Sequence, residues 1–323
     1  MLGRTAGGIF WMFRYLERCE NMARLLEAGH RMALTRNTGS DEEWRSVITT
    51  AGLQSAYEGR HDDYAASHVV NFLLRDKTNP SAVLPMLETA RHNARMTRTA
   101  LTREVWEATN IFWMRMKEAL ARPVRETDLP GVIAMIRQQS AQVRGALHGS
   151  MLRIDVYNFA RLGTFLERAD NTARILDVKY YVLLPSLSFV GSSLDNVQWE
   201  TILRSVSAEH AFRWLNAGDT RPVGVAEFLI LDERFPRSLA FCYQKLFGNL
   251  CYLERDYDVR MPSHDLAAQI HEGLQTRSID AIFESGLHEF LTEFMTCNGS
   301  RPSRWCNFGC GRGPSSGGFG GDV

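Results

Sequence analysis

Two segments of this chain, about 150 residues apart, are near copies: RYLERCENMARLLE at Arg14–Glu27 and TFLERADNTARILD at Thr164–Asp177. Seven of the fourteen aligned positions are identical (Leu16/Leu166, Glu17/Glu167, Arg18/Arg168, Asn21/Asn171, Ala23/Ala173, Arg24/Arg174, Leu26/Leu176), and four are conservative: Tyr15/Phe165, Glu20/Asp170, Leu25/Ile175 and Glu27/Asp177. The apolar spacing is helical, so the chain duplicates a helix, and two related halves are expected to share one core. Charges recur together with the apolar positions. A solvated face has little reason to repeat its charges so closely.

Helical periodicity runs through the rest, and no stretch shows the alternation of a half-buried strand between hairpin turns. The expected fold class is all-α: a bundle of about ten helices, with the two longest near Thr5–Leu34 and Met151–Leu184 carrying the repeat and related by an internal pseudo-symmetry. Breaks are expected at Thr38-Gly39 before a Ser40-x-x-Glu43 capping box, at Asn79-Pro80, Arg122-Pro123 and Asp128-Leu129-Pro130, and at Pro185, Ala217–Gly224, Pro236 and Met261-Pro262. Residues 1–297 read as one domain of two coupled halves, about 1–149 and 150–297. Residues 298–323 hold eight of the chain's 25 glycines and read as a disordered tail.

Lys+Arg and Asp+Glu balance at 37 each, so there is no global basic field to attract nucleic acid or an anionic membrane. The apolar run Ile9–Phe13 is too short and too closely followed by charge for a signal peptide, and Tyr180–Val190 is too short to cross a bilayer and is broken by Pro185. A cytoplasmic location without membrane contact is expected. Cys19, Cys242 and Cys251 are scattered, and Cys297, Cys306 and Cys310 have neither a disulfide framework nor a finger's fourth zinc ligand. Gly309–Gly313 lacks the Lys-Ser/Thr of a phosphate loop.

On a helical wheel Trp11, Met12, Tyr15, Leu16, Cys19, Met22, Ala23 and Leu26 form a core-facing arc, with Arg14, Glu17, Arg18, Asn21 and Arg24 opposite. That polar stripe has three readings: a structural ion-pair network joining the halves, a polar pocket for a ligand or a partner's side chain, or a solvated face with Glu20–Arg24 and Asp170–Arg174 pairs. Phe10 and Ala28, and Ala160 and Val178, bound the stripe with apolar residues and favour burial. Asn21 and Asn171 favour it too, since an amide suits a buried network better than an exposed helix. In a network, Glu17 and Arg24 are expected to face Arg174 and Glu167 across a pseudo-twofold axis, and Asn171→Leu is expected to destabilise strongly. The candidate site residues are therefore Glu17, Arg18, Asn21, Arg24, Glu167, Arg168, Asn171 and Arg174.

Weaker signals have ordinary explanations. His92-Asn93-Ala94-Arg95 echoes only the Asn and the following Arg, and Glu104, Trp106 and Glu107 read as a surface helix with one aromatic anchor. Glu17-x-x-Glu20 and Glu167-x-x-Asp170 have the spacing of a di-metal carboxylate bundle, but an arginine follows each glutamate and no histidine takes the ligand position, so no metal or other cofactor is expected. No HExxH, GxSxG, GxGxxG or Walker motif occurs.

With YLERCEN and FLERADN, the stretches Ala90–Asn110, Leu176–Pro185, Trp199–Ala208 and Val225–Cys242 resemble the bacterial alpha-E domain family, over Met1 to about Phe294. The resemblance implies a helical fold and an indirect function. Alpha-E proteins are encoded beside, or fused to, circularly permuted ATP-grasp ligases, often near transglutaminase-like or proteasome-like peptidases. The implied role is that of an accessory protein for ATP-dependent amide-bond formation in peptide synthesis or tagging, with the partner supplying the nucleotide fold. The alternatives are an enzyme holding an anionic substrate between the repeat helices, with Arg24 and Arg174 as clamps and Glu17 or Glu167 as base, or a di-carboxylate metal protein. The ending departs from the family: TCNGSRPSRWCNFGCGRG replaces the last helix, and a shifted reading frame is the hypothesis that accounts for it.

Overall fold

The computed structural model describes residues 1, 3–35, 41–182, 193–216 and 221–299. Among them are fifteen α-helices, one 3-10 turn and no strand. The first half comprises α1 (Gly3–Thr35), α2 (Asp41–Thr50), α3 (Gln54–Glu58), α4 (Ala66–Leu74), α5 (Val83–Met96), α6 (Arg103–Ala119) and α7 (Leu129–Ser150). The second comprises α8 (Asp155–Val182), α9 (Ser193–Ser205), α10 (Glu209–Asn216), α11 (Pro222–Ile230), α12 (Leu239–Tyr257), α13 (Pro262–Thr276), α14 (Ile279–Ser285) and α15 (Leu287–Gly299). The all-α class holds, with more helices than the expected ten. The additional ones include α3 and α14, of five and seven residues, too short to complete the periodic pattern by which a helix is recognised.

The halves pack by the same plan. α1 lies against α5 and α7, α8 lies against α12 and α15, and α1 and α8 pack on each other at the centre. α2 reaches across to α8 as α9 reaches across to α1. The duplication extends beyond Arg14–Glu27 and Thr164–Asp177. Trp44–Tyr57 (WRSVITTAGLQSAY) aligns with Trp199–Phe212 (WETILRSVSAEHAF), and both tryptophans are buried. Gly52 and Ser207 then coincide, and both have left-handed backbone, φ +70° and +55°. Phe72–Ser81 (FLLRDKTNPS) aligns with Phe228–Arg237 (FLILDERFPR), and Asp76 and Asp232 each accept from the backbone N–H two residues on, at 2.8 and 2.7 Å.

Both faces of α1 are covered, which corrects the one-sided wheel. Arg14, Glu17, Glu20 and Asn21 are as buried as Leu16 and Cys19, whereas Trp11 and Tyr15 of the expected core arc are partly exposed. Phe10, Ala28 and Ala160 are buried as their flanking positions predicted, and the Val178 side chain lies outside the described residues. The two central helices approach so closely that a Cβ on Gly163 of α8 would stand 2.2 Å from the Phe10 carbonyl oxygen of α1. Glycine is what permits this contact.

The breaks at Asn79-Pro80, Arg122-Pro123 and Pro236 separate helices, and α7 and α13 begin at Leu129 and Pro262. Gly224 instead falls inside α11, which Pro222 starts by supplying the φ of a first helical turn. The Thr38–Ser40 break, Pro185 and residues 300–323, including Cys306, Cys310 and Gly309–Gly313, lie outside the described residues. The tail boundary at 298 is corrected: α15 runs through Asn298, which is buried and donates from Nδ2 to the Leu166 carbonyl at 3.2 Å.

Candidate functional site

The duplicated Glu-Arg dipeptides exchange partners across the α1–α8 interface. Arg168 donates from Nε to Glu17 Oε1 at 2.9 Å and from Nη2 to Oε2 at 3.1 Å. Arg18 donates from Nε to Glu167 Oε1 at 2.5 Å and from Nη2 to Oε2 at 2.8 Å. Each pair is a two-pronged guanidinium–carboxylate contact, the geometry that best offsets the desolvation of both ions. One glutamate and the arginine beside it thus serve both halves at once.

This overturns the expected partners. Arg24 and Arg174 do not bind the opposite glutamates; each turns back to the acidic residue four positions earlier, Arg24 to Glu20 at 2.6 Å and Arg174 to Asp170 at 2.7 Å. Residues adjacent to Glu17 and Glu167 point toward the other helix, whereas those nearly two turns further along reach the ends of α9 and α2: Arg24 bonds Ser207 and Arg174 lies against Gly52. Asn21 joins the network, its Oδ1 accepting from Arg237 Nη1 at 2.9 Å. Asn171 is only partly buried and its Nδ2 has no hydrogen-bond partner among the described residues, so a strong loss on Asn171→Leu is no longer expected.

Residues outside the duplicated dipeptides complete the joint. Arg14 Nε donates to Glu167 Oε2 at 3.0 Å. Arg237 lies 3.1 Å from Glu17 Oε1 and 3.0 Å from Glu20 Oε1, and Arg144 of α7 bonds Glu20. The helical wheel could not find Arg144 and Arg237, which are remote in the chain. The Phe72–Ser81/Phe228–Arg237 repeat would have brought Arg237 into view.

Burial pushes the Glu17 carboxyl upward, but Arg168 and Arg237 outweigh it and hold the group well below the ordinary glutamate range. Glu167 is likewise lowered, burial being overcome by Arg18 and Arg14. A carboxyl whose folded pKa is depressed contributes stability that is complete above its unfolded value, about 4.5, and that disappears as pH falls toward the folded one. Urea midpoints are therefore expected to decline steeply below about pH 4.5, and the decline should be shallower in Glu17→Gln. An identical acid limb in the variant would remove Glu17 from the cause.

Glu-Arg dipeptides occur at 17–18, 167–168, 233–234 and 254–255, yet only the first two exchange partners in this way; Arg234 pairs with nearby Asp232, and Glu254 with Arg260. A family model described as "a predicted alpha-helical domain with a conserved ER motif" matches residues 1–300. The chain belongs to the Alpha-E family. Uncharacterized proteins of Mycobacterium bovis and Mycobacterium tuberculosis are each 23% identical to it over 266 residues, 76% of this chain but 29% of theirs, so the chain spans less than a third of the relatives' length. No solved structure matches it.

Two openings adjoin this Alpha-E core. A cavity of about 190 Å³ lies between α1, α8 and the end of α2, lined by Arg18, Asn21, Ser81, Glu167, Asp170 and Asn171 among others. A cleft of about 470 Å³ between α8 and α12 is lined by Arg153, Arg161, Lys245 and Arg255, with Tyr157, Tyr252 and Asn158 between them and no carboxylate. Glu104 and Glu107 face solvent, Glu107 pairing with Arg103. No cluster of three or more His, Cys, Asp and Glu that could hold a metal occurs among the described residues. Burial pushes the thiols of Cys19 and Cys242 upward, Cys242 to about 12, opposite to what a nucleophilic thiolate requires. No helix is long and apolar enough to cross a membrane among the described residues.

Proposed function

We propose that the chain is a helical accessory module of an ATP-grasp amide ligase in a peptide synthesis or tagging system, and that it is not catalytic by itself. The observation that carries this reading is the fate of the duplicated charges. Glu17, Glu167, Arg18 and Arg168 satisfy one another inside the joint, so neither glutamate is free to act as a base. The greater length of the relatives fits a module that works beside other domains. Transglutaminase-like or proteasome-like peptidases of the same system are further partners of this reading, and its setting is cytoplasmic. In a co-expression test the neighbouring ATP-grasp protein should co-purify with the chain and form amide product faster with it than alone. A ligase that is fully active without the chain and does not bind it would end this proposal.

A second reading, anionic-substrate binding, draws support from the α8–α12 cleft. Four cationic side chains and the buried Nδ2 of Asn158, which lacks a partner among the described residues, converge there without a carboxylate. Arg161→Ala with Lys245→Ala is expected to weaken binding of a polyanionic peptide about tenfold or more while leaving the melting temperature within a few degrees. Unchanged binding in a calorimetric titration would exclude the cleft.

A further inference from the structure

The internal duplication places Ser81 where the second half has Arg237: each stands two residues before the helix that packs on its own long helix, each directly after a proline (Pro80, Pro236), within the aligned stretches FLLRDKTNPS and FLILDERFPR. Arg237 extends from the start of α12 to α1, where its guanidinium meets Glu17 Oε1, Glu20 Oε1 and Asn21 Oδ1. The duplicated counterparts of those acceptors are Glu167, Asp170 and Asn171. All three line the 190 Å³ cavity, and Ser81 lines it too. The cavity therefore occupies the place in the first half that the Arg237 side chain fills in the second.

Details at the acceptors agree. Glu17 Oε1 receives Nε of Arg168 and lies beside Arg237 as well, whereas Glu167 Oε1 receives Nε of Arg18 without a counterpart of Arg237. The neighbouring charges do not forbid a further cation. Around Arg237 stand two carboxylates (Glu17, Glu20) and three guanidiniums (Arg168, Arg24, Arg144). The two carboxylates that line the cavity, Glu167 and Asp170, pair with three guanidiniums, Arg18, Arg14 and Arg174. Where Arg144 of α7, packed on α1, bonds Glu20, the uncharged Asn298 of α15, packed on α8, meets Asp170 at 3.4 Å. With water taking about 30 Å³ per molecule, the space suits a side-chain-sized group rather than a single solvent. It opens at exposed Gly52 and half-exposed Arg174.

We infer that this cavity is a binding site for a guanidinium group delivered from outside, with Asp170, Asn171 and Glu167 as its acceptors in the arrangement that Glu20, Asn21 and Glu17 present to Arg237. The guanidinium comes from an arginine residue or from a free arginine-like metabolite; the planar fork, not a simple positive charge, is what these acceptors match. The inference stands apart from the ligase reading.

Agmatine, free L-arginine and N-acetyl-arginine amide, each titrated into the full-length protein by calorimetry, test it, with N-acetyl-lysine amide as the cation control. Binding of the blocked residue and of agmatine, at least about tenfold tighter than the lysine analogue, is expected. Tighter binding of free arginine than of the blocked residue would assign the source to a metabolite, and the reverse to a protein or peptide arginine. Ser81→Arg should supply the group in cis, raising the melting temperature and abolishing the titration. Asp170→Asn, which keeps Ser81, should weaken binding about tenfold even if the Ser81 variant fails to fold. Binding of lysine and arginine analogues with equal affinity, no binding by the wild-type chain, or binding unaltered by Asp170→Asn would each overturn the inference.

Discussion

Glu17→Gln is expected to destabilise the chain by about 3–5 kcal/mol, the cost of removing one partner from a buried ion pair. The glutamine keeps the shape but withdraws the charge that opposes Arg168, Arg237 and, at 3.9 Å, Arg144, the first two of them 10% exposed or less. Glu167→Gln should cost less. Its main partner Arg18 is 31% exposed, so water can take up part of the stranded charge. Replacing both Glu17 and Arg168 with methionine should cost less than the two single changes added together, because neither ion of that pair is left stranded and Arg237 and Arg144 keep Glu20. Urea titrations at pH 7 followed by circular dichroism measure all of these. A loss below about 1 kcal/mol for Glu17→Gln would mean that the pair behaves as a solvated one.

Gly163→Ala is expected to have the opposite sign from an ordinary glycine replacement. In a helix interior, alanine is normally the more stable by about 0.5–1 kcal/mol. At this position the added Cβ would stand 2.2 Å from the Phe10 carbonyl oxygen, 3.1 Å from its carbon and 3.2 Å from the Arg14 backbone nitrogen. All three atoms are backbone, so α1 and α8 must move apart, which costs at least about 1–3 kcal/mol. Glu167 lies one turn from Gly163, so the separation also lengthens the reciprocal pairs. Gly145→Ala is the control: nothing lies within 4 Å of its Cβ, and α7 should gain stability. Thermal melts of the two variants should shift in opposite directions; a stabilised Gly163→Ala would disprove the close approach.

Much of the scaffold was legible in residue order. The two long helices and most of the proline-marked breaks follow from spacing and from the loss of a donor at proline, both local properties. Of the eight candidate residues, Glu17, Asn21, Arg24 and Arg168 meet in one buried cluster through Glu20 and Arg237, and Arg18 and Glu167 pair across the same interface. The wheel gives Arg24 and Arg174 the wrong partners, because it supplies an angle about the helix but not the height at which the other helix crosses. Asn171 matches Asn21 in the repeat, yet its environment differs because residue 81 is serine where residue 237 is arginine.

From the sequence alone came the duplication, the all-α class and the expectation that the repeated Glu, Arg and Asn side chains are buried, because hydrophobic period and repeated charge are written locally. The tertiary structure decided which arginine each glutamate takes, that Arg144 and Arg237 complete one copy, and that the other copy keeps a cavity. Those outcomes depend on where α1 and α8 cross, and that crossing is set by a backbone approach at Gly163 that no periodicity records. A carboxylate buried at such a crossing takes the guanidinium that geometry brings within hydrogen-bond reach, however many residues separate the two along the chain.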